Sequence, residues 1–257
     1  MSEETQDRLI IDKICKTYGQ HKVLDQISFT VRDGEFLSIL GPSGCGKTTI
    51  LRSLIGLETL DSGRILNCGR DITNAPPSQR GMGIVFQNYA LFENMTVLEN
   101  VAYALRCRPD RRKDAEETAL SALESVNMTA HKDKRPANLS GGQQQRVAIA
   151  RTLALSPEII LFDEPMSALD VDARLALRLE LKELQRKYRS TYIYITHDQE
   201  EAFAMSDRIM VMDNGRIAQI DTPTNLIDHP ADEYVERFVK YNINLKIESL
   251  LPFWRNA

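Results

Sequence analysis

The sequence predicts an α/β fold with a β-rich start and a helical insertion. Nearly continuous apolar runs at residues 36–40, 83–86 and 159–162 are typical of strands buried in a parallel sheet. Segments with helical apolar spacing alternate with these runs. A glycine-rich loop joins the run at 36–40 directly to one of the helical segments, which is an order of elements found in α/β proteins.

Apolar spacing and turn residues justify each element in chain order. Runs at 9–14 and 23–31 predict two early strands, and Asp33-Gly34 turns the chain into the strand at 36–40. Helical spacing at 96–105, with Thr96 as N-cap, and at 115–126 predicts a helical subdomain over about residues 88–155. The other expected elements are helices at 48–57, 171–188, 224–228 and 232–241, and strands at 64–66, 191–196, 208–212 and 216–220, the last two joined by Asp213-Asn214-Gly215.

Composition and charge limit the classes of protein to consider. The chain has 257 residues, of which 42% are hydrophobic, and this is enough for a sizeable core. A net charge of −4 and basic stretches interrupted by aspartate argue against nucleic-acid binding. Four widely spaced cysteines without a Cys-x-x-Cys pair indicate a reducing compartment. No apolar run approaches the roughly 20 residues of a membrane span, and residues 1–5 are not typical of a signal peptide, so we expect a cytosolic protein.

The glycine-rich loop carries the main chemical signal, and it reads Gly41-Pro42-Ser43-Gly44-Cys45-Gly46-Lys47-Thr48-Thr49. Its glycines allow the backbone to curl with N–H groups pointing inward, and the following helix adds partial positive charge at its N-terminus. Lys47 adds a full charge, and the Thr48 hydroxyl suits Mg²⁺. The sequence therefore predicts a P-loop that binds a nucleoside triphosphate. A plain glycine-rich turn would leave Lys47 and Thr48 unexplained.

Polar residues follow three of the predicted strands. Gln87 follows the run at 83–86, Asp163 and Glu164 end the run at 159–164, and His197 follows the strand at 191–196. Because strand carboxyl ends line the sites of parallel sheets, we expect Gln87, Asp163 and His197 to converge on the γ-phosphate. Beside a P-loop, Asp163 suits Mg²⁺ and Glu164 suits a general base for water. Taken singly, each has a plainer interpretation as a surface or structural side chain.

A second anion site is predicted at Leu139-Ser140-Gly141-Gly142-Gln143. Ser140 can cap the helix that follows, and the two glycines leave bare N–H groups at its start. One phosphate ligand can reach two distant loops only if they meet in space. A head-to-tail dimer would bring them together.

Two further residues have more than one interpretation. Tyr18 lies in the stretch 16–19 between the first two strands, where it either offers its ring to a ligand or is an ordinary core or surface tyrosine. Cys45 could be a small buried filler, but loop N–H groups and Lys47 favour the thiolate over the thiol. We therefore predict an activated thiol, with which maleimide reacts faster than with Cys15, Cys68 or Cys107.

From Leu9 to about Tyr241 these motifs, in this order, resemble the ATP-binding cassette (ABC) ATPases. The resemblance implies a P-loop NTPase core with an antiparallel β subdomain and an inserted helical subdomain. Together these make one nucleotide-binding domain at 1–241. Many relatives continue into a β-rich regulatory domain, and here the sequence departs from them, because we expect only a short tail at 242–257 and no such domain. It also implies ATP and Mg²⁺ as cofactors, with Thr48, Gln87 and Asp163 as the metal ligands.

The resemblance also assigns roles to the candidate residues. Tyr18 would stack on adenine, and Gln87 would connect Mg²⁺ and the attacking water to the transporter contact. Lys47, Glu164 and His197 would act in catalysis, Glu164 by polarising the water and His197 by positioning the γ-phosphate. Of the signature residues Ser140-Gly141-Gly142-Gln143, Ser140 and Gly142 would bind the γ-phosphate held by the other subunit. Asp170 would bridge the two subunits.

Within that family, the stretches 86–92, 95–101 and 143–151 resemble bacterial importer ATPases for polyamines, ferric iron, phosphonates and sugars. This implies a homodimer on the cytoplasmic face of the inner membrane, bound to two transmembrane permease subunits. A solute-binding protein would deliver the solute to these permease subunits. Glu93-Asn94 departs from the importer pattern, which usually has proline and a basic or polar residue there. An exporter ATPase is the alternative, because it would share every catalytic motif.

Two other classes fit the sequence less well. Cassette ATPases of DNA repair carry a long insertion between P-loop and signature, and those of translation carry two cassettes in one chain. A GTPase switch would need an Asn-Lys-x-Asp motif that reads guanine. None of these features occurs in the sequence.

Overall fold

The computed structural model describes residues 7–241, 243–245 and 248. The chain divides into two compact units, the first made of Met1–Ala75 and Tyr194–Ala257 and the second of Pro76–Ile193. None of the helices in the described part of the chain has the length and hydropathy of a membrane span.

The main elements of the described chain are ten strands and eight α-helices, and three short 3-10 helices lie at Pro77–Gln79, Thr129–His131 and Pro136–Asn138. The strands are β1 (Asp7–Tyr18), β2 (His21–Arg32), β3 (Phe36–Leu40), β4 (Ser62–Asn67), β5 (Arg70–Asp71), β6 (Met82–Val85), β7 (Ile159–Asp163), β8 (Thr191–Thr196), β9 (Arg208–Asp213) and β10 (Arg216–Asp221). The helices are α1 (Lys47–Ile55), α2 (Val97–Arg106), α3 (Ala115–Ser125), α4 (Gly141–Leu153), α5 (Val171–Tyr188), α6 (Gln199–Met205), α7 (Pro223–Asp228) and α8 (Glu233–Val235), which continues as a π-helix over Glu236–Tyr241.

The first unit contains an antiparallel sheet in the order β2-β1-β4-β5 and the strands that lead to the glycine-rich loop. Strand β3 pairs in parallel with β9, and β9 pairs antiparallel with β10. The β9–β10 turn places Asn214 and Gly215 at φ 43° and 76°, the left-handed geometry that two-residue hairpin turns favour. Every residue of β3 is buried, so the loop that follows begins from a fixed point in the core.

The second unit contains the parallel pair β6 and β7 and the helices α2 to α5. Helices α2, α3 and α4 pack against one another. A capping box begins α2, with Thr96 accepting from the Glu99 amide, and a second begins α4, with Ser140 accepting from the Gln143 amide. Both helix starts are therefore fixed by side chains that the sequence places locally.

The predicted order of strands and helices is confirmed, apart from the two-residue strand β5, which is not predicted, and with three further local differences. Tyr18 is the last residue of β1 and not part of the connection between the first two strands. Gln87 lies in a turn two residues beyond β6 and not at the strand end. Helix α6 is not predicted by apolar spacing because it has only seven residues, although its N-cap Asp198 is a signal for a helix start. The predicted tail at 242–257 lies outside the described residues apart from 243–245 and 248.

Candidate nucleotide-binding and catalytic site

The glycine-rich loop connects the end of β3 to the start of α1. Gly44 and Gly46 have φ angles of 81° and 104°, which residues with a Cβ rarely adopt. A Cβ on Gly46 would lie 2.8 Å from the carbonyl oxygen of Val23, whereas a Cβ on Gly44 would meet open space. Gly46 is therefore required by close packing as well as by its backbone angle, and it directs the chain into the helix.

Lys47 is buried at the first position of α1. Its Nζ donates hydrogen bonds to the carbonyl oxygens of Gly41, at 2.7 Å, and Pro42, at 2.8 Å. The ammonium group is thus held by the loop itself at the positive end of a helix. This concentration of positive charge and N–H groups is what a phosphate site needs.

The prediction of an activated thiol at Cys45 is wrong. Cys45 is only 4% exposed, and burial raises the pKa of its thiol, although the Lys47 ammonium opposes that change. Its Sγ would lie 2.8 Å from a Cβ built on Gly41, so the side chain packs inside the loop. The alternative interpretation, a small buried filler, agrees with the structure.

We therefore expect maleimide at neutral pH to label the exposed thiols of Cys68 and Cys107 before that of Cys45. The reason is that reaction needs an accessible thiolate, and Cys45 is both covered and shifted toward the thiol. Peptide mapping after brief labelling measures the order. Labelling of Cys45 ahead of the other two would contradict the packing described for the loop.

Tyr18 has an exposed ring, and the Lys16 ammonium group contacts that ring. Tyr18 is 46% exposed, and the Lys16 ammonium lies 5.1 Å from the centroid of its ring. The same ammonium pairs with Glu58 at 2.7 Å and donates to the Thr59 carbonyl at 2.7 Å. Burial and a hydrogen bond with Glu58 raise the pKa of Tyr18, and the Thr49 hydroxyl opposes this, so the phenol also contacts α1. A fixed, accessible ring beside the glycine-rich loop suits stacking on a base.

His197 follows β8 and is exposed. A buried carboxylate fixes the backbone around it, because Glu201 accepts hydrogen bonds from Tyr194, at 2.7 Å, and from Thr196, at 2.8 Å. Asp198 then begins α6 by accepting from the Glu200 amide at 2.8 Å. Sequence reasoning did not find the role of Glu201. The acidic first turn after Asp198 was the available signal.

In the second unit, the structure brings Gln87 and Glu164 into one chain of hydrogen bonds. Asp163 is the last residue of β7, and Glu164 follows in the left-handed region at φ 45°. Ser167 donates from its Oγ to the Glu164 carbonyl at 3.0 Å, and Gln87 donates from Nε2 to that Oγ at 3.2 Å. Ser167 therefore links two predicted catalytic residues, and sequence reasoning assigned it no role.

The predicted signature occupies the first turn of α4. Ser140 and Gln143 form the capping box, with the Ser140 amide donating to Gln143 Oε1 at 3.0 Å. A Cβ built on Gly141 or Gly142 would meet its nearest neighbours at 3.5 Å and 3.9 Å, which is ordinary contact. Packing therefore does not require this glycine pair, whereas the bare N–H groups of an anion site do. Asp170 likewise caps α5 by accepting from the Ala173 amide at 2.8 Å.

Three features are typical of ATP-binding cassette proteins: the P-loop, the polar residues after the strands, and the signature at the start of α4. Comparison with known protein families gives the same class. The model of the family described as ABC transporter matches residues 24–167, which is more than half of the chain. This chain belongs to the ABC transporter family.

Several curated relatives are similar over most of this chain. The spermidine/putrescine import ATP-binding protein PotA of Haemophilus influenzae is 47% identical over 241 residues, which are 93% of this chain and 65% of the relative. The sulfate/thiosulfate import ATP-binding protein CysA 2 of Chromobacterium violaceum is 49% identical over 233 residues, which are 91% of this chain and 63% of the relative. The chain thus spans slightly less than two thirds of the length of these relatives.

Two solved structures share the fold. The dimeric, post-hydrolysis ATP-binding cassette MJ0796 bound to ADP and Pi is 30% identical, with a TM-score of 0.75 over 84% of this chain and 98% of that chain. The ADP conformation of the cassette MJ1267 is 27% identical, with a TM-score of 0.78 over 90% of this chain and 98% of that chain. The predicted fold class, a P-loop NTPase core with antiparallel β and helical parts, is confirmed by this likeness.

Proposed function

We propose that this chain is the ATP-hydrolysing nucleotide-binding subunit of an ABC importer. The observation that carries the proposal is the glycine-rich loop between β3 and α1, where Gly46 is sterically required and Lys47 is held at a helix N-terminus. Residues 1–241 would form the nucleotide-binding domain, with a helical part at about 88–155. The relatives named as import ATP-binding proteins support the direction of transport.

Binding of ATP would use residues of the first unit. Tyr18 would stack on adenine, and the loop from Gly41 to Thr49 would surround the phosphates with N–H groups. Lys47 would release its bonds to the loop carbonyls in favour of phosphate oxygens, which attract an ammonium group more strongly because they are charged. Mg²⁺ would neutralise phosphate charge, and the hydroxyl, amide and carboxylate oxygens of Thr48, Gln87 and Asp163 are donors that this ion prefers.

Hydrolysis would use residues at the strand ends. Glu164 would take a proton from the attacking water as general base, while Gln87 would hold that water in place. Gln87 bonds Ser167, and Ser167 bonds the Glu164 carbonyl. These two bonds would hold Gln87 and Glu164 in fixed positions relative to each other. His197 would bond the γ-phosphate, and the Glu201 contacts would maintain the backbone that presents it.

A second copy of the chain would complete each site. Ser140, Gly142 and the N-terminus of α4 would contact the γ-phosphate bound by the partner, with Gly141 and Gln143 completing the turn, and Asp170 would bridge the copies. The bare helix start supports this part of the proposal, since packing does not account for the two glycines. The solved cassette MJ0796, described as dimeric with ADP and Pi, supports it independently.

Two permease subunits in the inner membrane would receive the motion of this dimer on the cytoplasmic side, and a solute-binding protein would deliver the solute. One relative is named for polycations, spermidine and putrescine, and another for anions, sulfate and thiosulfate, at 47% and 49% identity. This chain would therefore be the motor of an importer whose solute is not assigned.

Purification from detergent-solubilised membranes tests the importer role. We expect the tagged chain to copurify with two copies of a membrane permease, or with one copy each of two. After reconstitution with a solute-binding protein, MgATP on the side of the ATPase should drive solute toward that side. Transport in the opposite direction would overturn the importer proposal in favour of an exporter.

A further inference from the structure

The loop that carries Gln87 contains two successive residues in the left-handed region. Tyr89 and Ala90 have φ angles of 61° and 48°. This conformation disfavours residues with a Cβ and normally occurs at single positions, mostly glycine or asparagine. Two in a row persist only where surrounding contacts hold them. Two bonds within the loop contribute, from the Tyr89 amide to the Phe86 carbonyl at 3.0 Å and from the Ala90 amide to the Asn88 carbonyl at 2.6 Å, and further contacts come from outside the loop.

The contacts come from Arg151 in the last turn of α4. Its Nη1 donates to the Ala90 carbonyl at 2.6 Å and its Nη2 donates to the Tyr89 carbonyl at 2.8 Å. The guanidinium carbon lies 6.0 Å from the centre of the Phe92 ring, and burial lowers the pKa of the group below its ordinary value. A planar fork that bonds two adjacent carbonyls matches their geometry in a way that a lysine ammonium does not.

The same helix also fixes the strand that precedes Gln87. The Thr152 hydroxyl shares its one proton between the Ile84 carbonyl at 3.2 Å and the Ala148 carbonyl of its own helix at 3.1 Å, and a Cβ on Gly83 would lie 2.5 Å from the Thr152 methyl group. At the other end of the helix, the buried Tyr89 hydroxyl would lie 3.5 Å from a Cβ on Gly141. Helix α4 thus holds the backbone on both sides of Gln87.

We propose that Arg151 is a positioning residue for ATP hydrolysis, which acts by holding Tyr89 and Ala90 so that the Gln87 amide reaches Ser167. We call the two bonds from Arg151 to the Tyr89 and Ala90 carbonyls the clamp. Because Gln87 bonds Ser167 and Ser167 bonds the backbone of Glu164, two hydrogen bonds connect the clamped loop to the proposed general base. The clamp also ties the orientation of Gln87 to the helix that begins with the signature. The inference rests on the proposed function of the chain as an ATPase.

Replacement of Arg151 by methionine tests the clamp, because methionine keeps the apolar stem and removes both hydrogen bonds. We expect kcat to fall about tenfold, since small misplacement of a catalytic group is costly, while KM for ATP changes less than about twofold. The kcat of Arg151→Lys should lie between those of the wild type and of Arg151→Met, because a single ammonium group replaces the two-pronged guanidinium. Arg106→Met, which alters an exposed arginine at the end of α2, is the matched control and should keep the wild-type kcat.

A second substitution separates positioning from general support of the fold. Glycine adopts positive φ without the penalty of a Cβ, so Ala90→Gly added to Arg151→Met should recover kcat by about threefold or more. An arginine that merely stabilises the helix would give no such recovery. A double variant as slow as Arg151→Met, or a rise in KM that accounts for the whole loss, would overturn the proposal.

Hydrogen exchange tests the clamp independently of activity. Arg151→Met should accelerate exchange of the backbone amides at 87–92 and leave those of β6 unchanged. Unchanged exchange at 87–92 would overturn the clamp even if ATP is hydrolysed. A wild-type chain that does not hydrolyse MgATP would instead overturn the proposed function, and the exchange result would still decide whether Arg151 holds the loop.

Discussion

Replacement of Glu164 by glutamine is expected to lower ATP turnover by about a hundredfold or more and to leave ATP affinity unchanged. The amide retains the shape of the carboxylate and cannot accept a proton from water. The backbone contacts at this position, including the bond from Ser167 to the Glu164 carbonyl, do not depend on the side chain. Phosphate release at saturating MgATP and titration with a fluorescent nucleotide measure the two quantities.

Glu158→Gln is the matched control, since Glu158 is exposed just before the other end of β7. It should keep wild-type turnover. The Glu164 variant should also accumulate as an ATP-bound dimer in size-exclusion chromatography, because it binds nucleotide without cleaving it. Near-normal hydrolysis by the Glu164 variant would remove Glu164 from the role of general base.

Replacement of Ser140 by arginine is expected to stop hydrolysis, by about a hundredfold or more, while ATP still binds with affinity within about twofold of wild type. The reason is that Ser140 would contact ATP held by the partner copy, so each copy keeps its own P-loop. Mixed with Lys47→Ala, the Ser140 variant should form heterodimers with one competent site. At equal amounts this restores up to about a quarter of wild-type activity, since half of the dimers are mixed and each has one of two sites.

Thr96→Arg provides the control for loss of a helix cap. Thr96 and Ser140 begin α2 and α4 with the same capping box, and removal of either cap costs about 1 kcal/mol of stability. Only the change at Ser140 should stop hydrolysis. If Ser140→Arg abolished ATP binding by the monomer, the signature would act within its own chain and the dimer would lose its support.

Features encoded by neighbouring residues were predictable from the sequence. The strand, loop and helix around Lys47, the caps at Thr96 and Ser140, and the β9–β10 turn each follow from a short run of residue types. The fold class followed from the order of these local signals. The proposed roles of the site residues come from the same motifs and remain predictions.

Contacts between distant parts of the chain were not predictable. Arg151 bonds a loop 61 residues away and Gln87 bonds Ser167 across 80 residues, so no local pattern records either contact. Cys45 was misjudged for a related reason. Its local charges favour the thiolate, but its burial arises from tertiary packing, which includes a bond from the Gly215 amide to the Cys45 carbonyl, and burial has the larger effect on the pKa of the thiol.

The dependence of phosphate release on protein concentration tests most directly whether two copies share each ATP site. With saturating MgATP, the rate per subunit of the wild-type chain should rise with protein concentration and level off as dimers form. Lys47→Ala should release no phosphate above background. A rate per subunit that stays constant while size-exclusion chromatography with MgATP shows only monomer would contradict the shared site.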